Sequence, residues 1–295
     1  MARARAQEPT TVSQRTPATE ACRNCGAPLD GNFCSQCGEK RFTPHDRSLG
    51  HLAHDAIHFV THFDGAFFRT LRTVFTRPGQ LSLDYSNGIR KKYFKPVSLL
   101  MLLVVLYLLF PLFQGLNMHL SALVAPQYNY EWLVAPMVRK AMAHHHWTFA
   151  QLAEHYSAHS PAISKLAIFA VPPLCGIVLC VLFFYKRRYY FDQVVLGIEL
   201  VSFYVAYQFL LLPLVAVVVT FLYRPALAFF SDDNQWFEAI RILGDVAFAT
   251  AALARFYGQR WWATVPQAVV YLGLFYLGVM YVHHVLVFLI TMFVL

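Results

Sequence analysis

Four cysteines near the N-terminus have the spacing of a metal site. Cys22 and Cys25 form one CxxC pair, Cys34 and Cys37 form a second pair, and a glycine follows each pair. A tight turn at each pair presents two thiolates to one ion, and four thiolates complete tetrahedral zinc without leaving a position open for substrate. We therefore predict a structural zinc ribbon over residues 21–42. Iron is the alternative metal, because tetrahedral thiolates accept both ions.

The composition predicts that long apolar helices in a membrane carry this ribbon. Hydrophobic residues make up 57% of the chain, charged residues make up 14%, and the mean hydropathy is +0.44. A helix needs roughly 20 apolar residues to cross a bilayer. Five segments meet this length: 96–114, 164–185, 195–222, 239–257 and 264–294. We expect an all-α polytopic membrane protein with about five transmembrane helices, whose helical membrane domain covers residues 96–295.

The residues before the first span divide into a tail, the ribbon and a juxtamembrane region. Residues 1–20 have no apolar stretch and are typical of a disordered tail. The juxtamembrane region covers residues 46–95, and within it the helical spacing of apolar residues over 49–75 predicts an amphipathic helix at the membrane surface. Its polar face carries a titratable stripe of histidines, namely His51, His54, His58 and His62. This stripe is typical of a polar face over lipid headgroups, and the alternatives are a pH response and metal binding between turns.

The distribution of positive charge predicts the topology. Of the 24 Lys and Arg residues, 14 precede the first span, together with 8 acidic residues. The positive-inside rule then assigns the N-terminus, the loop 186–193 and the turn 255–263 to the cytoplasm, and the C-terminus to the outside. A reducing cytoplasm also keeps the thiolates free to hold a metal. Because the charge of +8 follows the loops in this way, we expect the lipid bilayer as a partner and no nucleic acid.

Ionisable residues lie inside the predicted spans, where charge is costly and indicates a role, and five of them are candidates for pairs within the membrane. Depth along the helices pairs Glu199 with Arg255 near the cytoplasmic side, and Asp245 with His283 or His284 near the outside. Two interpretations remain open. The pairs hold the bundle together, or they form a proton or ion relay.

Several short motifs carry a resemblance to a known family. They are the ribbon from Cys22 to Gly38, Thr70-Leu71, Arg77-Pro78-Gly79, Tyr85, Gly88, Arg90, Pro96 and Phe256-Tyr257-Gly258-Gln259. With these residues the chain resembles an uncharacterised bacterial zinc-ribbon membrane-protein family, domain of unknown function 3667. It departs from the family pattern at Ile89 and at Gln193, where lysine and histidine are expected. The resemblance implies a protein of the bacterial inner (cytoplasmic) membrane with a cytoplasmic ribbon, and it implies no activity.

Three functions are compatible with these features. The first is a membrane-anchored interaction or scaffold module, whose ribbon binds a protein partner or assembles homo-oligomers. The second is a small metal- or proton-coupled transporter that uses Glu199, Asp245, His283 and His284. The third is a membrane enzyme that acts on lipid. No HExxH, GxSxG or Walker motif occurs in the sequence, so we predict no catalytic residue and favour the first function.

Overall fold

The computed structural model describes residues 20–29, 31–43, 65–109, 117–125, 130–224, 229–230 and 234–295. Most of the predicted tail lies outside these residues. The histidine stripe His51, His54, His58 and His62 lies outside them too, as does most of the predicted amphipathic helix.

Two short antiparallel strands, β1 (Glu20–Ala21) and β2 (Pro28–Leu29), precede the helices. The helices follow in chain order: α1 (Gly65–Thr76), α2 (Gln80–Ser86), α3 (Pro96–Leu109), α4 (Leu120–Val124), α5 (Glu131–His145), α6 (Phe149–Leu182), α7 (Tyr190–Leu222), α8 (Gln235–Tyr257) and α9 (Trp261–Val294). The described part of the chain is therefore almost entirely helical.

Three of these helices are long and apolar enough to cross a membrane. Helices α6 and α9 have 34 residues each and α7 has 33, with mean hydropathies of 2.1 to 2.3 over their most apolar windows. They contain the predicted spans 195–222 and 264–294 and residues 164–182 of the predicted span 164–185, and they identify the chain as a membrane protein. The other two spans stay predictions, because α3 is a shorter apolar helix and α8 carries four charged residues.

Local sequence sets where the helices begin and end. At the start of α6 the Thr148 hydroxyl accepts a hydrogen bond from the Gln151 amide, and the Gln151 side chain accepts one from the Thr148 amide. This reciprocal arrangement satisfies donors that the first turn of a helix leaves unpaired. The Asn234 side chain caps α8 by accepting from the Trp236 and Phe237 amides, and Gly258 ends α8 with a φ of 64°, which glycine adopts at little cost.

The long helices contain irregular turns. Residues Val205–Leu211 of α7 and Phe275–Val279 of α9 are π-helical, and a 3₁₀ turn at Ile168–Ala170 interrupts α6. The turn in α7 comes just before Pro213, whose ring cannot donate to the preceding turn. Such turns change the direction of side chains and frequently accompany functional sites.

The apolar side chains form two separate cores. The larger core packs α1, α2, α3 and α8 around α7 and the facing halves of α6 and α9. The smaller core joins α4, α5, the first half of α6 and the C-terminal end of α9. The cysteines form a third, small cluster with Leu29, and the segment that carries them contacts the loop between α2 and α3.

Candidate functional site

The four predicted cysteines lie together in one cluster. Their sulfur atoms are all within 4.8 Å of one another, and the pairs Cys22–Cys37 and Cys25–Cys34 are each separated by 3.5 Å. Zn–S bonds of about 2.3 Å in a tetrahedron place the sulfurs roughly 3.8 Å apart. The donor set therefore fits a tetrahedral metal ion, and no other group of three or more His, Cys, Asp or Glu in the described residues is as suitable.

The backbone shapes this cluster through two matching turns. The Gly26 amide donates to the Cys22 carbonyl, and the Gly38 amide donates to the Cys34 carbonyl, both at 2.8 Å. Both glycines have positive φ, 78° and 71°, which explains their position after each pair. The backbone amides of Cys37 and Gln36 also donate to the Cys34 sulfur and lower its pKa to about 6. A thiolate is the form that binds metal, and the two amide hydrogen bonds favour that form of Cys34.

A buried carboxylate attaches the cysteine segment, residues 20–29 and 31–43, to the helices. Glu39 is 5% exposed, and its Oε2 atom accepts hydrogen bonds from the backbone amides of Arg90 at 3.0 Å and Lys91 at 2.8 Å. These amides belong to the loop between α2 and α3. The side chain next to the cysteine cluster therefore holds the loop that leads into the apolar helix α3.

Stacked cations reinforce this attachment. The guanidinium of Arg90 lies over the rings of Phe42, Tyr85 and Phe191, at 4.9, 4.6 and 5.7 Å. The guanidinium of Arg23 covers the same Phe42 ring at 4.7 Å, and it donates to the Asn87 carbonyl at 3.2 Å. Cation–π contacts of this kind gain strength when they are desolvated. Arg90 thus joins the cysteine segment to α2 and to the start of α7.

Glu199 and Arg255 meet at the turn Arg77-Pro78-Gly79, and they reach it from two different helices. Glu199 is fully buried in α7, and its carboxylate accepts from the Gly79 amide at 2.8 Å, from the Ser82 amide at 2.9 Å and from the Ser82 hydroxyl. Arg255 of α8 donates to the Pro78 carbonyl. A carboxylate at the first turn of α2 satisfies its unpaired amides and opposes the positive end of the helix dipole.

Glu199 and Arg255, the predicted pair, are therefore connected through the turn Arg77-Pro78-Gly79. Among the described residues no direct ion pair joins Glu199 and Arg255, and both side chains hold the turn before α2. Gly79 makes this arrangement fit. Its φ is 78°, and a Cβ atom at this position would lie 2.4 Å from the Ala252 carbonyl oxygen of α8. The turn packs against α8 so closely that glycine is required.

Asp245 has partners other than those inferred from depth. Its Oδ2 atom accepts from Gln208 Nε2 at 2.8 Å and from the Tyr276 hydroxyl at 2.6 Å. Gln208 lies in the π-helical turn of α7 and Tyr276 in that of α9. The Gln208 oxygen accepts from Arg241 Nε at 2.7 Å, and Arg241 pairs with Glu238 at 2.8 Å. The irregular turns of two long helices thus converge on one buried carboxylate.

The two histidines of α9 are not partners of Asp245. His283 forms a hydrogen bond with the Ser164 carbonyl at 3.1 Å, and His284 Nδ1 forms one with the Tyr130 hydroxyl at 3.2 Å. Both contacts join α9 to the α5–α6 side of the molecule. The predicted pairing is therefore wrong, because depth along a helix does not tell which way its side chains face.

Several residues of these networks were missed in the sequence. Glu39 follows the second cysteine pair directly, and Gln208 is an amide in an otherwise apolar span, which is a signal that indicates a role. Gly79 and Ser82 contribute backbone amides. Because nearly every residue has such an amide, the residue type does not predict this role. Tyr276 resembles the many other aromatic residues of the chain.

Comparison with known families identifies one part of the chain. Residues 64–108 match the model of a family described as Protein of unknown function (DUF3667). The resemblance predicted from the sequence is thereby confirmed over this part of the chain. The matched residues include the turn held by Glu199 and Arg255 and the loop held by Glu39. No curated protein and no solved structure matches the chain.

Proposed function

We propose that this protein is a membrane-anchored zinc-ribbon module that binds a protein partner at the membrane surface. The observation that carries the proposal is the cluster of four sulfurs within 4.8 Å, joined through Glu39 to the loop before α3. Zinc is the proposed ion, because a closed set of four thiolates is typical of its structural sites. In this function the metal stabilises a recognition surface and takes no part in chemistry.

The contacts of the cysteine segment support a fixed platform. Glu39, Arg23 and Arg90 hold one side of the segment against the helices. On the segment's surface the ring of Phe33 is 63% exposed. An exposed aromatic ring on a rigid support is the kind of side chain that anchors protein interfaces. The proposed partner surface is therefore centred on Phe33.

The proposed topology has five spans, with the ribbon in the cytoplasm of a bacterium and the C-terminus outside the inner membrane. The 23 residues of α8 extend about 34 Å, which is enough to cross the hydrocarbon layer. The charged side chains inside α8 have hydrogen-bond partners: Arg241 donates to the Gln208 oxygen, and Arg255 donates to the Pro78 carbonyl. Membrane helices tolerate charged residues when they are paired in this way. Helix α3 packs against α6 and α7 as the remaining span.

Site-specific photocrosslinking in native membranes tests the partner surface. A photoreactive amino acid at position 33 is expected to give an adduct of one discrete mass, and the same substitution at Trp132, an exposed residue of α5, is the matched control. An adduct of twice the chain mass identifies a homo-oligomer, and any other single mass identifies a different partner. Equal labelling at both positions, or none at position 33 in metal-loaded protein, would contradict the proposal.

A second function, proton- or metal-ion-coupled transport, is supported by the network around Asp245. Two π-helical turns supply Gln208 and Tyr276 to its carboxylate, and Arg241 supplies a nearby positive charge. Reconstituted protein that acidifies vesicles, with the flux lost in Asp245→Asn and kept in Ser202→Ala, would favour this function. The membrane-enzyme alternative stays a prediction from the sequence.

A further inference from the structure

A groove opens where α8 turns into α9, at the same end of the molecule as the cysteine segment. It has a volume of about 650 Å³ and lies between the last two turns of α8 and the first residues of α9. Its lining combines two arginines, a glutamine, two tryptophans and two alanines: Ala251, Ala254, Arg255, Gln259, Arg260, Trp261 and Trp262. None of the functions above uses this groove.

The polar end of the groove has the chemistry of a phosphate site. Both ionisable residues of its lining are arginines, Arg255 and Arg260. Arg255 is held in place by its hydrogen bond to the Pro78 carbonyl, so its orientation is set before any ligand arrives. A guanidinium presents several donors in a plane and binds phosphate through two of them. No acidic residue lines the groove, and Glu199, which interacts electrostatically with Arg255, is fully buried in α7.

The other end of the groove is apolar. Ala251 and Ala254 are nearly one helical turn apart on α8, and their small side chains leave space along the helix. Trp261 and Trp262 are 71% and 60% exposed at the start of the long apolar helix α9. Tryptophan at such a position favours the headgroup layer of a bilayer. The groove therefore combines a cationic head region, an aromatic rim and an apolar floor.

We infer that this groove binds an anionic phospholipid. The phosphate lies against Arg255 and Arg260, and an acyl chain follows Ala251 and Ala254. A basic pocket between membrane helices is typical of sites for anionic headgroups. A second copy of the chain is a poorer occupant, because it would place two arginine clusters of equal charge close together. Because Arg255 also donates to the Pro78 carbonyl before α2, it would link the bound lipid to the helix that supports the cysteine segment.

Native mass spectrometry of the detergent-purified full chain tests this inference. The probes are dioleoylphosphatidylglycerol, dioleoylphosphatidylcholine and inorganic phosphate, each added to delipidated protein. Arg260→Gln removes a guanidinium that lines the groove, whereas the Arg255 guanidinium that donates to the Pro78 carbonyl is kept, and we expect the variant to weaken phosphatidylglycerol binding about tenfold. Arg187→Gln is the matched control, because Arg187 is an exposed cation in the loop between α6 and α7. It is expected to leave binding unchanged.

A second variant separates a lipid from free phosphate. Ala254→Trp fills the apolar floor and leaves both arginines in place, so it is expected to abolish phosphatidylglycerol binding. Three results would overturn the inference: equal losses in Arg260→Gln and Arg187→Gln, displacement of the lipid by inorganic phosphate at similar concentration, or paired chains in place of lipid adducts. If Ala254→Trp does not fold, the comparison of Arg260→Gln with Arg187→Gln still tests whether the groove binds the lipid.

Discussion

Glu199 in α7 and Ser82 in α2 are joined by two hydrogen bonds, one from the Ser82 amide at 2.9 Å and one from its hydroxyl. The residues are 117 positions apart in the chain. Through this contact a buried acid of a long apolar helix caps the short helix that supports the cysteine segment. The contact makes Glu199 a structural residue of the membrane domain.

Glu199→Ala is expected to destabilise the protein strongly. It leaves the amides of Gly79 and Ser82 without their buried acceptor, whereas the Ser82 hydroxyl keeps the Val195 carbonyl as an acceptor. Each unsatisfied buried group costs about 1–3 kcal/mol, so the free energy of unfolding should fall by about 2 kcal/mol or more. Unfolding followed by tryptophan fluorescence in detergent measures the loss. Ser202→Ala is the control, because this buried hydroxyl of the same helix has no hydrogen-bond partner among the described residues. Equal stability of the two variants would refute the role of Glu199.

Gly79→Ala and Gly258→Ala separate a steric clash from backbone strain. Both glycines have positive φ, which costs another residue about 1–2 kcal/mol. At Gly79 the new Cβ also meets the Ala252 carbonyl oxygen at 2.4 Å, whereas nothing lies within 4 Å of a Cβ at Gly258. We expect Gly79→Ala to lower the unfolding free energy by a further 1–3 kcal/mol or so. Thermal unfolding of both variants, with Gly65→Ala as the unstrained reference, measures the difference. Similar melting temperatures for the first two would contradict the close packing of the turn.

Replacement of the four clustered cysteines by serine should remove one metal ion per chain. The thiolates are the ligands, and a serine hydroxyl is a poor substitute for them. Elemental analysis of purified protein gives both the stoichiometry and the identity of the ion, zinc or iron. Cys180→Ser in α6 is the control and should keep its metal. Metal that persists in the fourfold variant would indicate a second site.

Glu39→Ala should loosen the cysteine segment without removing its metal. The Glu39 carboxylate is the acceptor for the Arg90 and Lys91 amides, and its loss exposes them to solvent exchange. A lost hydrogen bond to a charged group corresponds to about 1.5–3 kcal/mol, or at least tenfold faster exchange of these amides. Hydrogen–deuterium exchange of the peptide around residues 87–95 measures this. Glu20→Ala, which removes an exposed ion pair with Arg41, should leave the same amides unchanged.

A double-mutant cycle distinguishes the partners of Asp245. Asp245→Ala and Tyr276→Phe should show a coupling energy of about 1 kcal/mol, because the two side chains share a hydrogen bond of 2.6 Å. Asp245→Ala and His284→Ala have no common partner, so their effects should add within about 0.5 kcal/mol. Unfolding free energies in detergent provide both cycles. A larger coupling energy between Asp245 and His284 than between Asp245 and Tyr276 would support the predicted pairing of Asp245 with His284.

Part of the candidate site could be read from residue types. The cysteine cluster follows from two CxxC turns with their glycines, and Glu199, Arg255 and Asp245 were identified because ionisable residues are rare in apolar spans. Their partners could not be read in the same way. Depth along a helix is one coordinate, and the rotation of the helix decides whether Asp245 meets His284 or Tyr276. That rotation is set by the packing of whole helices.

The sequence by itself determined that the four cysteines form one cluster and that three of the five predicted spans are long apolar helices, because both depend on local features: short spacing and the length of an apolar run. Only the tertiary structure decided that Glu199 and Arg255 hold the turn at Gly79, and that Glu39 fastens the cysteine segment to the loop before α3. The physical reason is that these acids bind backbone amides. Nearly every residue carries such an amide, so the partner is chosen by which segment the fold brings within reach.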